Sequence, residues 1–475
     1  VSTDFFAGIT PGSDVDAALA DAEPKVFWTD RPDAPAPRDP VTGTSADLVV
    51  VGGGFTGLWT AILAKQQDPS TDVVLLESQH VGYGASGRNG GFVSDSLTHG
   101  LAHGSSRWPS EVETLVELGR RNVAEIASTL AANTIDADLR LVGKTTVAVS
   151  PYQLEYLRGL AELHRAQGDE AVLLDAAEMR ADVDSPTYLG GVRLPSAGGL
   201  VDPGRLTFGL ARLADSLGVR RYDRSPVSGL TPGGGEVEVR TPTGTVRAGR
   251  VALATNAYPA PLKRVRPFVL PVYDHVLVTE PLSSEQWDAL GWAERQGLTD
   301  AGNRFHYYRP TADGRILWGG YDALYHFGGR VRASYEQRKA THRRLAAHFF
   351  ATFPQLEGVR FTHRWGGVID STSRFTPVFG TASRGRIAYA VGYTGLGVAS
   401  ARFGGQVMLD LLAGRDTEAT RLGMVRRRPV PFPPEPLRWP VVQLTRGELI
   451  RSDARGGRRG PWLRLLDRFG VGFDS

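Results

Sequence analysis

Residues 46–77 read ADLVVVGGGFTGLWTAILAKQQDPSTDVVLLE, and the order of the parts within this stretch decides the fold. Leu48 to Val51 is a β-rich apolar run, too short to span a membrane and long enough for a buried parallel strand. It runs into a G-x-G-x-x-G turn, Gly52, Gly54 and Gly57, which opens the amphipathic segment Phe55 to Gln67 and encloses Thr56. A second apolar run, Val73 to Leu76, ends on an acid, Glu77, followed by Ser78. The physical logic is that of a dinucleotide cradle. Gly52 permits the tight turn, Gly54 lets a pyrophosphate approach bare backbone, Gly57 lets the helix lie close on the sheet, and the free N–H groups at the helix start face the phosphates. Glu77 accepts both hydroxyls of a ribose and repels a 2′-phosphate, so FAD or NAD fits better than NADP. In a chain with 57 glycines the three glycines alone say little. Strand, turn, helix, strand and acid in sequence say much more, the alternative being an ordinary βαβ turn without a ligand.

The 475 residues suffice for two or three modules of about 100–200 residues each. Hydrophobic residues at 41% and charged residues at 22% are the proportions of a globular protein in water. No apolar run reaches the roughly 18–20 residues of a membrane helix, and the opening VSTDFFAGITPGSDVD has neither the basic region nor the apolar core of a signal peptide; the expected location is cytoplasmic. The absence of cysteine excludes disulfides, thiol catalysis, cysteine-ligated metals and a cysteinyl cofactor link, and no metal site is read from the chain. From Arg421 onward 12 Arg stand against 5 acids, so the tail is locally basic. Its expected role is packing on its own fold or on a second copy through Trp462, Leu465, Leu466 and Phe469. Membrane contact is the weaker alternative, because the apolar segment is short. No nucleic-acid-binding fold or aromatic platform is recognisable.

Outward from the turn, residues 1–45 read as an irregular arm with Phe27 and Trp28 as anchors, the alternative being a disordered leader. Residues 82–91 place five glycines in ten positions, which suits a chain passing close along a flat ligand, with Ser86, Arg88, Asn89, Gly90 and Gly91 at its polar edge. Helices are expected at Glu111 to Leu130 and Tyr152 to Gln167, the latter capped by Ser150 with Gln153. Asp202 caps a further helix with Pro203 in its first turn. Alternating strands from Val227 to Leu253 end at Thr255 and Asn256, where an open α/β sheet borders its ligand crevice. Ser334 with Gln337 is expected to cap a helix reaching Phe350. A strand-rich block bearing Tyr273, His275, His306, Tyr307, Tyr308 and Arg309 suits the wall of a substrate chamber. Arg309, in an apolar strand, either meets an internal acid or receives an anionic substrate group. A last glycine signature, Gly392, Tyr393, Thr394, Gly395, Leu396 and Gly397, heads a helix whose free N–H groups point at an electron-rich ligand oxygen.

Taken in order, the cofactor turn, GASGRNGG at 84–91, GGLVDP at 198–203, VALATNAY at 251–258, YYRPTADGRILWGG at 307–320, WGGVIDSTSRFTPVFG at 365–380 and GYTGLGVA at 392–399 resemble the FAD-dependent D-amino-acid oxidase-like superfamily over residues 45–415. The resemblance is greatest to its gamma-glutamylputrescine oxidoreductase and glycine/sarcosine oxidase branch. It implies an α/β, FAD-binding Rossmann-like domain of the glutathione-reductase type at 46–95, 196–264 and 366–420. It also implies a mixed α+β substrate domain on an antiparallel sheet at 96–195 and 265–365, followed by a basic Pro/Arg-rich extension at 421–475. By carry-over Val227 contacts adenine through its backbone, Gly366 joins the cofactor contacts, and Gly392 to Gly397 face the flavin O2 and N1 region. Two positions depart from relatives. Arg88 stands where one branch carries a flavin-linked histidine, so FAD is expected to be non-covalent. No lysine lies at Arg315 to Leu317, where the sarcosine-oxidase lysine thought to activate oxygen would fall.

The implied reaction is oxidation of a C–N bond in a small amine or amino acid by hydride transfer to flavin N5, followed by imine hydrolysis. Tyr273, His275 and Arg309 are the expected positioning residues, with His275 accepting the ammonium proton. Oxidation of a hydroxy compound, giving His275 or His306 the role of base, and a flavin-binding electron-transfer or assembly subunit are the two rival readings. A homo-oligomer is compatible with all three.

Overall fold

The computed structural model describes residues 4–472. Its first layer is a sheet in the spatial order Val378–Ala382, Ile387–Val391, Thr245–Leu253, Thr44–Val51, Val73–Leu76 and Arg220–Tyr222. The last five of these run parallel, and Val378–Ala382 is antiparallel at the edge. Alternation along Thr44–Val51 divides its side chains between two cores. Leu48 and Val50 pack with the helices Phe55–Gln67, Pro203–Ser216 and Gly397–Ala413, whereas Val49 and Val51 pack with the hairpin strand Glu236–Arg240. A sheet covered on both faces explains why its strands read as unbroken apolar runs. The helix Val112–Ala132 also joins the first of these cores through Leu115, Leu118, Val123, Ile126 and Leu130, so part of the 96–195 block packs with the cofactor layer.

The second layer is a nine-stranded sheet. Its long central strand Leu270–Thr279 lies between Phe361–Ser371 on one side and Ile316–Gly320 with Leu324–Tyr325 on the other, all antiparallel. His306–Pro310 and Gly297–Asp300 continue it. One parallel pairing, Gly297–Asp300 with Lys144–Ala148, departs from the expected antiparallel pattern and joins the two blocks that the sequence separates. The strand Phe361–Ser371 runs through residue 366 without a break.

Several local expectations are changed by packing. The helix expected from Ser334 begins at Lys339, because Ala333–Glu336 forms a separate 3-10 turn and Ser334 caps nothing. Gln153 accepts the N–H groups of Val149 and Ser150 at 2.8 and 3.0 Å, ahead of a helix that starts at Gln153 itself. From Asp4 onward the N-terminal arm packs on the fold. Phe6 and Val15 enter the second core, and Trp28 is 2% exposed beside Val276, Leu317 and Trp365. In the tail, Arg438–Ala454 and Pro461–Arg468 are helical. There Leu463 is the buried residue, while Leu465 and Phe469 are exposed, since the helix turns one residue away from the expected face. No helix among the described residues is long and apolar enough to cross a membrane.

Candidate active site

The first glycine turn is shaped by close backbone approach. Gly52 has φ +114°, and a Cβ there would lie 2.4 Å from the Ala254 carbonyl oxygen. A Cβ on Gly57 would lie 1.8 Å from the Gly52 carbonyl oxygen, so the helix rests directly on the turn. The Phe55 N–H donates to Ser86 Oγ at 2.8 Å, which brings the second glycine-rich loop against the helix start beside Gly54. Glu77 is buried, with one carboxylate oxygen accepting the Gly53 N–H at 2.7 Å and the other accepting the Gln79 N–H at 2.9 Å and the Ser78 hydroxyl at 3.0 Å. Burial raises its pKa, and these donors oppose the rise. Main-chain bonds from the Glu77 N–H to Tyr222 and from the Ser225 N–H to Glu77 bring this segment against the acid, with Val227 two residues past Ser225.

Across the strand ends, Asn256 has φ +50°, and Thr255 Oγ1 and Asn256 Oδ1 are buried without a hydrogen-bond partner among the described residues. Buried polar atoms without partners are costly, and a polar ligand lying along the crevice satisfies them. These features fit FAD: a buried carboxylate at the end of the second strand, bare backbone at the glycine turn and unmet polar atoms at Thr255 and Asn256.

The loop 84–91 is clamped by two indoles. Trp28 Nε1 donates to the Asn89 carbonyl at 2.8 Å, and Trp365 Nε1 donates to the Arg88 carbonyl at 2.9 Å. Asn89 folds the loop itself, donating to the Ala85 and Ser86 carbonyls and accepting the Gly91 N–H. Arg88 does not point along the loop. Its guanidinium pairs with Glu336 at 2.6 Å and donates to the carbonyls of Gly366 and Tyr83, tying the cofactor layer to the second sheet. Gly366 serves the same junction, since a Cβ there would meet Glu336 Cα at 2.9 Å.

Strand alternation separates the expected chamber residues onto two faces. The ring of Tyr307 lies against Gly90, where a Cβ would meet it at 2.6 Å, and Arg309 shares this inner face, with Nη1 donating to the Gly91 and Val201 carbonyls. His306 and Tyr308 point the opposite way, into a core with Trp318 and Phe349. His306 holds Asp300 at 2.6 Å and His348 at 2.9 Å, and Phe6 packs on both imidazoles. His275 is fully buried, with Nε2 3.1 Å from the Tyr335 carbonyl oxygen, and burial pulls its pKa down to about 4, so it is neutral. The Tyr273 hydroxyl donates to the Arg332 carbonyl and accepts the Arg332 N–H. His275 and His306 lie on the sheet face away from Gly90, a departure from expectation caused by the two-residue period of the strands, while Tyr273 on that face packs with Ala257 and Tyr258. Arg309 takes the internal-acid alternative, with Asp138 at 3.6 Å. Burial lowers its pKa to about 9, and it stays a cation.

The residue that sequence reasoning missed is Asp274, between Tyr273 and His275. Its cross-strand partner is Gly367, where a Cβ would point at Arg88 Cβ 3.5 Å away, so the Asp274 side chain shares the face turned toward the loop. The Tyr307 hydroxyl donates to it at 2.5 Å. The signal was available: if Tyr273 and His275 face one side, the acid between them faces the other.

The third glycine signature is held by Asp370, another residue not anticipated. Its carboxylate accepts the Gly392 and Tyr393 N–H groups at 2.5 and 3.2 Å, and burial raises its pKa to about 7. The Thr56 hydroxyl donates to Tyr393 at 3.0 Å, joining the first turn to the last. Thr394 sits at φ +51° and accepts the Thr372 N–H. Gly395 is exposed and Leu396 and Gly397 are half-buried, leaving the start of the helix Gly397–Ala413 open to a ligand.

Comparisons with known proteins agree with this arrangement. The FAD dependent oxidoreductase family, DAO, matches residues 47–411. The gamma-glutamylputrescine oxidoreductase of Escherichia coli is 32% identical over 399 residues, covering 82% of this chain and 88% of its own. The probable oxidoreductase OrdL of Haemophilus influenzae is 30% identical over 391 residues, covering 78% and 84%. The solved structure of glycine oxidase from Geobacillus kaustophilus superimposes with a TM-score of 0.66 at 20% identity, covering 81% of this chain and 99% of that one. With a cradle suited to FAD and a family match that runs from the first glycine turn into the last helix, the chain belongs to the DAO family and is an FAD-dependent oxidoreductase.

Proposed function

We propose that this protein oxidises the C–N bond of a small-molecule amine or amino acid. The observation that carries this reading is the extent of similarity to a gamma-glutamylputrescine oxidoreductase, 82% of this chain, within a family match at residues 47–411 that takes in both the cofactor turn and the chamber strands. FAD, when bound, supplies the acceptor for a hydride from the C–H next to the nitrogen. The chain's own residues do the rest. Val276, Leu317 and Trp365 pack under Trp28 on the inner face, which holds both indoles that grip the loop 84–91 in place. The start of the helix Gly397–Ala413 favours negative charge on the bound ring by about 0.3–1 kcal/mol. Asp370 and Thr56 fix that helix start through Gly392 and Tyr393, so its N–H groups need no reorganisation when charge develops. The imine product leaves to be hydrolysed to a carbonyl by water. With His275 neutral and turned away, the proton that the substrate nitrogen loses before hydride transfer goes to solvent water rather than to that imidazole.

The test is anaerobic mixing of FAD-loaded protein with diamines, N-methylated amino acids, primary amines and hydroxy acids while the visible flavin band is followed. Bleaching by an amine is the expected result. Bleaching by hydroxy acids alone would replace this reading with alcohol oxidation, and no bleaching by any of them would favour an electron-transfer or assembly role.

A further inference from the structure

Asp274 sits on the sheet face turned toward the cofactor loop, in the middle of an otherwise apolar strand. It accepts the Tyr307 hydroxyl at 2.5 Å and the His275 N–H at 2.8 Å, with a further backbone contribution from Gly320. All three donors are neutral. Burial, followed by Asp274 itself, pushes the Tyr307 phenol well above its ordinary pKa, so it remains a donor. No lysine, arginine or histidine side chain lies within ion-pair distance of Asp274 among the described residues, whereas Arg309 on the same face has Asp138 and the adjacent Arg88 has Glu336. The residue is half-buried. A carboxylate removed from bulk water and denied a protein cation is costly unless a cation arrives from outside. Its four lone-pair sites are not exhausted by the three donors.

We propose that Asp274 is the counter-charge for the ammonium group of a cationic substrate, and so a specificity-determining residue of this site. The inference rests on the amine-oxidation reading and narrows its substrate class to amines that enter carrying positive charge. Tyr307 is the positioning residue. Its ring is held between Gly90 and Gly319, and its hydroxyl fixes the carboxylate rotamer. Glycine at 319 and at 367 clears the space around the acid, since a Cβ at 319 would lie 2.7 Å from the Tyr307 hydroxyl.

The experiment titrates FAD-loaded wild type and Asp274→Asn with n-butylammonium, n-butanol and butyrate, reading the shift or bleaching of the flavin band. In wild type butylammonium is expected to bind tightest. In Asp274→Asn its affinity falls at least tenfold, while FAD content and butanol binding stay unchanged, and Asp274→Glu recovers part of the loss. Equal butylammonium affinity in wild type and Asp274→Asn, or tighter binding of butyrate than of butylammonium in wild type, overturns the proposal.

Should the Asn variant fail to retain FAD, the wild type alone decides through pH. Burial is the largest influence on Asp274 and brings its pKa to about 6; Tyr307, which stays protonated, and the His275 and Gly320 N–H groups lower it, Asp322 raises it, and the Arg88–Glu336 pair facing it across Gly367 is internally neutralised. The affinity ratio of butylammonium to butanol is expected to be constant well above pH 6 and to fall as pH drops through that value. A ratio that does not change overturns the proposal. The two readings fail separately. An amine that bleaches wild type and Asp274→Asn with equal KM sinks the role of Asp274 alone. A flavin bleached only by hydroxy acids, in a protein that still binds butylammonium through Asp274, sinks amine oxidation alone.

Discussion

The first glycine turn and the inner face of the second sheet both meet the loop 84–91, yet they are built on opposite principles. At the turn the protein removes side chains, and recognition falls to backbone N–H groups and one acid within residues 52–77. On the sheet the protein adds side chains, and they come from strands separated in sequence, with Asp274, Tyr307, Arg309 and Trp365 brought together only by register. Backbone recognition tolerates no substitution but is written locally. Side-chain recognition tolerates change but is written across the fold.

The contrast is sharpest where a buried charge is removed. Arg309→Met is expected to cost about 3–5 kcal/mol of stability by leaving Asp138 and the Val201 carbonyl without their cation, while KM of the surviving enzyme stays unchanged. Thermal melting with steady-state kinetics checks this, and a raised KM at unaltered stability would return Arg309 to the substrate. Gly57→Ala is expected to cost about 3 kcal/mol, because its Cβ overlaps the Gly52 carbonyl, and to yield protein poor in flavin. A stable, fully yellow variant would show that the turn has slack the structure does not contain. Glu77→Ala should weaken FAD by about 10–100-fold, the loss of a charge-assisted hydrogen bond worth about 1.5–3 kcal/mol, measured by flavin release on dilution. The smallest effect belongs to Trp365→Phe, which removes one donor to the Arg88 carbonyl at about 0.5–1.5 kcal/mol. A shifted flavin spectrum with little change in melting temperature is its expected signature.

The same contrast explains what was legible in the sequence. The helix expected at Phe55 to Gln67 and the strand at Val73 to Leu76 form between those very residues, because steric exclusion and apolar periodicity are properties of neighbouring positions. Asp202 likewise caps its helix, accepting the Arg205 N–H at 2.9 Å. The catalytic candidates fared differently. Tyr273, His275 and His306 were selected by residue type, and residue type does not state which face of a strand is inward. Only the pairing of Leu270–Thr279 with Phe361–Ser371, some ninety residues later in the chain, fixes that. Asp370 was hidden for the same reason, since its donors Gly392 and Tyr393 belong to the other layer. Ser334 misled through local composition, where the close approach of Glu336 to Gly366 held the segment in a 3-10 turn instead.

The contact between the Trp28 indole and the Asn89 carbonyl has a practical corollary. Anyone trimming this protein to the segment that looks like its business end would begin cutting near residue 46, just before the first glycine motif. Such a shortened piece would discard half of the tryptophan pair that grips the ring-side loop, together with Phe6 and Val15 from the neighbouring core. Residues 4–45 thus brace the loop 84–91 and the second core, and expression or fusion designs should keep them attached.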